Sequence, residues 1–153
     1  MSTMIFVNLP VADLKRSTDF FSALGYSFDP RFTDENAACL VIDQDHVYAM
    51  LLTTEMMKRF TRKSIVNARE GTEAILALSA DSREAVDALA DKALTSGGSA
   101  SNPPDDQGYM YSRSFQDPDG HLWEAFWMDL AGMENAATQQ AADQAAGVSD
   151  VQR

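Results

Sequence analysis

Ser112–Trp127 reads SRSFQDPDGHLWEAFW, and its reading decides the fold. Ser112 to Gln116 alternates as a half-buried strand does. Asp117-Pro118-Asp119-Gly120 has the chemistry of a tight turn: Pro118 presets φ, the Asp side chains accept from nearby backbone N–H groups, and Gly120 takes φ > 0. His121 to Trp127 is a second strand, rich in aromatics, with Glu124 in its middle. A carboxylate inside an apolar strand is costly unless something pairs with it or uses it. Glu124 is therefore the first candidate functional residue.

The turn also sets a register. A type I turn closed by Gly120 in the left-handed region makes a three-residue hairpin loop. Asp117 then pairs with His121, and Ser114 faces Glu124, with Ser112 and Gln116 on the same face. Arg113 falls on the other face, near Ala125, within reach of Trp123 or Trp127. A four-residue loop would slip the register by one and put Arg113 opposite Glu124.

Outward from this hairpin, the chain shows an order that occurs twice. Met4–Leu9 reads as a strand ended by Pro10. Asp13 caps a helix over Leu14–Leu24, stopped by Gly25. Strands follow near Tyr26–Thr33, Ala37–Ile42 and His46–Thr53. Residues 54–69 are polar and basic, with partial helix. Then Thr72–Ala80 is a strand, Asp81 or Ser82 caps the helix Arg83–Thr95, and Gly97-Gly98 ends it. Short strands near Ser99–Asn102, Gly108–Gln116 and His121–Trp127 complete the count. Asp13 falls over Asp81, Gly25 over Gly97, and His46-Val47-Tyr48 over His121-Leu122-Trp123. Such self-similarity at long period marks a duplicated unit. The expected organisation is one α+β domain over residues 1–130, with a first module over about 1–70 and a second over about 71–130. Residues 131–153 are Ala- and Gln-rich with few large apolar side chains, and read as a frayed helix or disordered tail.

The DPDG turn, the Glu four residues beyond it and the repeat resemble the vicinal-oxygen-chelate superfamily, which includes glyoxalase I, extradiol dioxygenases, fosfomycin-resistance enzymes and bleomycin-resistance proteins. The resemblance covers roughly Met4 to Met128. It implies two βαβββ modules forming a cupped mixed sheet around the site. It also implies four metal-ligand positions, one on each of four strands. The first, seven residues before Asp13, is Phe6 here; its equivalent before Asp81 is Ala74; the third is Ala49 or Leu51; the fourth is Glu124. A zinc or iron catalytic site normally needs about three protein ligands. The expectation is thus no bound metal and no cofactor, a divalent ion being disfavoured. His121 and His46 do not rescue a metal site: three residues separate His121 from Glu124, so on a strand they point to opposite faces. Both read as surface histidines at strand starts.

The expected pocket holds Phe6, Asn8, Ala74, Leu76, Ser112, Ser114, Glu124 and Phe126, apolar with a few polar groups, as small-molecule sites are. The expected function is a bleomycin-resistance-like homodimer with a degenerate metal site that binds a small organic ligand. The alternatives are a glyoxalase-like lyase or dioxygenase-type metalloenzyme with unusual ligands, or a metal-free enzyme with Glu124 as base. In the plainest reading Glu124 is only hydrogen-bonded by Ser114 and backbone.

Composition excludes other classes. The net charge of −11 repels phosphate backbones, so nucleic acid is not an expected partner. MSTMIFVNLP lacks the basic flank and apolar length of an export signal or membrane span. The single cysteine, Cys39, forms no intrachain disulfide and suits a reducing cytoplasm. Five of the twelve basic residues, Lys58, Arg59, Arg62, Lys63 and Arg69, fall in one segment. They read as a solvated linker, or as a flap that attracts anions.

Overall fold

The computed structural model describes residues 2–151. Strand β1 (Ile5–Val11) leads into helix α1 (Leu14–Ala23), then β2 (Ser27–Asp29), β3 (Ala37–Asp43) and β4 (Val47–Thr53). These four strands form one mixed sheet in the order β1-β4-β3-β2, with β1 and β4 parallel. One turn of helix, α2 (Thr54–Met57), opens a connection to β5 (Ile75–Ser79). Helix α3 (Arg83–Thr95), β6 (Ser99–Ala100), β7 (Asp105–Asp106), β8 (Met110–Gln116) and β9 (Leu122–Met128) follow. The second sheet runs β5-β9-β8-β6, again with its first and last strands parallel, and β7 pairs with β8. The two halves thus share one strand order, as the repeat requires. The short β7, in the Pro103-Pro104-Asp105-Asp106 loop, is an addition to the expected strands.

Local chemistry accounts for the element ends. The Asp13 carboxylate accepts from Arg16 N–H at 3.1 Å and caps α1. Ser82, rather than Asp81, caps α3 by accepting from Ala85 N–H at 3.1 Å. Gly25 and Gly97 take φ of 98° and 108° after their helices, a conformation glycine adopts without strain. Pro10 does not end β1; it lies inside it, opposite Leu52. β1 is an edge strand, and the Pro10 carbonyl points away from β4 to accept from His121. The missing N–H lies on that same outer side, so no ladder bond is lost.

One core serves both sheets. Leu9, Val11, Ala49 and Leu51 from the first and Phe115 and Trp123 from the second are buried around Phe20 and Phe21 of α1. Phe21 meets Trp123 edge-on at 5.2 Å between ring centroids, and Phe20 lies 6.3 Å from Phe115. Large side chains of this kind are worth about 1.5–3 kcal/mol each on burial. The faces turned away from this core are open in part: Phe6 is 40% exposed on β1 and Ile75 58% on β5. The tail forms helix α4 (Leu130–Val151), exposed over nearly all of the length whose burial is described. No helix among the described residues is long and apolar enough to cross a membrane.

Candidate functional site

The hairpin from Ser112 to Trp127 has the register that its turn dictates. Ser114 lies opposite Glu124 and Arg113 opposite Ala125, and Asp117 N–H donates to His121 O at 3.0 Å. Gly120 has φ of 92°. Arg113 is on the core side, where it donates to Asp91 at 2.7 Å and Asp87 at 3.1 Å on α3. It does not stack on tryptophan; Arg83 does, lying 5.7 Å from the Trp127 ring and 4.7 Å from the Tyr111 ring.

The turn itself is a clamp between the two halves. Asp117 is buried and accepts from Asp119 N–H, His121 N–H and the Trp123 indole N–H, each at 3.0 Å. Burial pushes its carboxyl above the ordinary range, against the opposing pull of His121 and these donors. Asp119 reaches the first half: it accepts from Ala12 N–H at 2.8 Å, Ser17 Oγ at 3.1 Å and Arg16 at 3.2 Å. His121 Nε2 lies 2.7 Å from the Pro10 carbonyl, which fixes the proton on Nε2. His121 is therefore half-buried between the halves, not a surface residue, while His46 is a surface residue paired with Asp43 at 3.1 Å.

A cavity of ≈ 310 Å³ lies at this seam. One wall is β1, from Val7 to Pro10. The other is Ala74, Leu76 and the stretch Gly120-His121-Leu122. The cover is the connection between the halves, with Met57, Thr61, Lys63, Ile65 and Val66 among its lining residues. A smaller cavity of ≈ 230 Å³ adjoins it, sharing Pro10, Ile65, Val66, Ala68 and His121. The cover is held down at the turn: Arg69 donates to the Pro118 carbonyl, and a Cβ on Gly120 would sit 3.1 Å from Arg69 N.

The residues expected to line one pocket are divided by the structure. Asn8, Ala74 and Leu76 line the seam cavity. Phe6, Ser112, Ser114, Glu124 and Phe126 do not. In the parallel register of β5 on β9, Leu76 is opposite Trp123 and Ala77 opposite Glu124. Ala74 and Leu76 thus share the Trp123 side, while Ile75 and Ala77 share the Glu124 side. On that second side Ser112 is buried, and Ser114 Oγ accepts from Asn102 N–H at 3.0 Å. Glu124 is half-buried, with no hydrogen-bond or ion-pair partner among the described residues. Phe6 stacks on Tyr48 at 4.7 Å, with 9° between the ring planes. Among the described residues, no three His, Cys, Asp or Glu side chains group so as to hold a metal ion. Cys39 is fully buried, which pushes its thiol up and makes it inert.

His121 and Pro10 line the seam and are absent from the expected pocket. A sequence signal did exist for His121: a histidine directly after a DPDG turn.

Residues 3–43 match the family described as bleomycin resistance protein-like N-terminal. No curated protein is detectably similar in sequence. Among solved structures, the hypothetical protein SA1046 from S. aureus shares 24% identity, over 83% of this chain and 94% of its own, with a TM-score of 0.69. A glyoxalase/bleomycin resistance protein/dioxygenase family enzyme from Burkholderia phytofirmans PsJN shares 19%, over 84% of this chain and 100% of its own, with a TM-score of 0.67. The fosfomycin resistance protein FosX from Listeria monocytogenes shares 19%, over 86% and 97%, with a TM-score of 0.59. At these identities the likeness is one of fold. Two equivalent βαβββ halves and these matches together give the chain the glyoxalase/bleomycin-resistance/dioxygenase fold, with residues 3–43 similar to the bleomycin resistance protein-like N-terminal family.

Proposed function

We propose that the chain is a metal-independent binding protein for a small organic molecule, and that the ligand lies in the seam cavity. The observation that carries this reading is the cavity's make-up. Val7, Leu9, Leu76, Leu122, Ile65 and Val66 give it apolar walls, with Asn8, Lys63, Glu73 and His121 among the polar residues set along them. A largely apolar space of this size with few polar groups is the usual form of a small-molecule site. Phe6 and Ala74 stand where the superfamily's metal ligands are expected, and neither side chain can coordinate a metal.

A homodimer belongs to the same proposal. β1 and β5 are equivalent strands, and each leaves one edge unpaired. Ile5 and Phe6 on the one, with Met4 just before it, and Ile75 on the other expose apolar surface beside those edges. A second copy related by a two-fold axis would cover both edges at once. That arrangement would also enclose the Glu124 face, and it keeps alive the alternative of a site there with Glu124 as base.

The test is binding of an uncharged apolar dye, phenylnaphthylamine, to the purified chain after dialysis against EDTA. Saturable binding that is lost in Ala74→Trp, with circular dichroism unchanged, supports the seam site. Binding that needs added metal, or that ignores Ala74→Trp, removes it.

A further inference from the structure

Charge is distributed unevenly around the seam. Residues 58–74, which cover it, carry five basic and two acidic side chains, whereas the rest of the chain carries seven basic and twenty-one acidic. The rest of the chain is net negative and the cover net positive, so an organic anion is favoured over the cover relative to the remainder of the chain. Of the cover's cations, Lys58 is paired with Glu55 at 2.8 Å, and Arg69 donates to the Pro118 carbonyl. Lys63 is in no ion pair among the described residues, and it lines the cavity. Glu73 is the one acidic residue of the lining, and it too is in no ion pair. Lys63 is exposed at the margin of the cavity, where its unpaired ammonium is available to an anionic group brought there by a ligand.

We infer that the seam cavity takes an organic anion, with its apolar body against Val7, Leu76, Leu122 and Ile65 and its carboxylate or sulfonate on Lys63. Asn8, on the facing wall of β1, has an amide free to hydrogen-bond the same molecule. The inference rests on the reading of the seam as the ligand site, and names the class of ligand that reading leaves open. No covalent step is involved.

Two dyes of similar shape separate the class of ligand from the existence of the site: anilinonaphthalene sulfonate, which is anionic, and phenylnaphthylamine, which is uncharged. Each is titrated by fluorescence into the wild-type chain and into Lys63→Gln, Glu73→Gln and Ala74→Trp. The sulfonate should bind more tightly than the neutral dye. It should weaken about tenfold in Lys63→Gln, the loss expected for one charge-assisted hydrogen bond. It should tighten in Glu73→Gln, which removes a like charge, and weaken with added salt. The neutral dye should respond to none of these changes, and both dyes should be lost in Ala74→Trp. If the neutral dye binds and is blocked by Ala74→Trp, while the sulfonate binds no better and ignores Lys63→Gln, the anion assignment is overturned and the site stands. If neither dye responds to Ala74→Trp, both are overturned.

Discussion

Asp119, in the hairpin turn of the second half, accepts a hydrogen bond from Ser17 Oγ in the first helix at 3.1 Å, across 102 positions of sequence. The same carboxylate takes the N–H of Ala12, the residue just before the Asp13 cap of α1. The turn of one half thus completes the helix entry of the other. The two halves are coupled by polar groups as well as by the shared aromatic core, so unfolding of one exposes unsatisfied donors in the other.

Asp119→Ala should therefore destabilise the whole chain in one transition, by about 2–3 kcal/mol. Ser17 is buried and would lose its acceptor. Asp119→Asn, which keeps one acceptor oxygen, should cost less. Urea denaturation followed by both fluorescence and circular dichroism checks this. Two separate transitions in the wild type, or no loss in Asp119→Ala, would contradict it.

Gly120→Ala should strain both backbone and cover. Its φ of 92° costs a residue with a Cβ about 1–2 kcal/mol. The added atom would also meet Arg69 N at 3.1 Å and Ala68 C at 3.2 Å. The cover must shift outward, so trypsin should cut faster at Arg62, Lys63 or Arg69. Unchanged cleavage together with unchanged thermal stability would show that the turn does not hold the cover.

Much of this was legible in local sequence, and what was missed has one physical cause. The Ser114–Glu124 pairing follows from Asp-Pro-Asp-Gly alone, because loop length sets hairpin register. The caps at Asp13 and Ser82 and the stops at Gly25 and Gly97 follow from side-chain chemistry within four residues of the helix ends. The parallel pairing of β5 with β9 has no such local determinant: a helix and three strands intervene. In that pairing Ala77, not Leu76, stands opposite Glu124, so Ala74 and Leu76 do not share its face. The contacts of Asp119 with Ser17 and of His121 with Pro10 were hidden for the same reason. They depend on how two halves dock, not on either half.

Tyr111, Asp87 and Arg113 tie β8 to α3, and the tie has a pH window. A hydrogen bond from Tyr111, at 2.6 Å, and then one from Arg113 hold the Asp87 carboxyl below its ordinary value of 3.8. The same hydrogen bond holds the Tyr111 phenol above its ordinary value of 10.0. A depressed carboxyl contributes stability above its unfolded pKa and loses it as pH falls through the folded value. A raised phenol contributes below its unfolded pKa and loses it as pH rises through the folded value. Tyr111→Phe should thus be less stable than wild type by a constant margin of about 1 kcal/mol through neutral pH. The margin should shrink below pH 3.8 and above pH 10. Denaturation midpoints across pH test this; a margin that persists unchanged into acid and base would refute it.

The free edges of β1 and β5 make a further prediction. Sedimentation at micromolar concentration should show a dimer, and Ile75→Lys should shift it to monomer without loss of secondary structure. Ile75 is 58% exposed, so a charge there has no folding cost of its own to confuse the result. A wild-type monomer, or a dimer indifferent to Ile75→Lys, would leave the edges without the proposed partner.

Glu124 decides between the two places a ligand can sit. It lies on the far side of β9 from Trp123, facing Ser114 and Ala77, and does not line the seam cavity. Glu124→Gln keeps shape and hydrogen-bonding capacity while removing the charge. If the ligand occupies the seam, this change should leave the affinity of anilinonaphthalene sulfonate within about twofold, because a charge on the opposite face of a strand is screened by solvent. Lys63→Gln, measured beside it, should weaken the same dye. The reverse pattern would move the site to the Glu124 face: binding lost in Glu124→Gln, untouched by Lys63→Gln, and present only in the dimer. That outcome would revive Glu124 as the residue that meets the ligand.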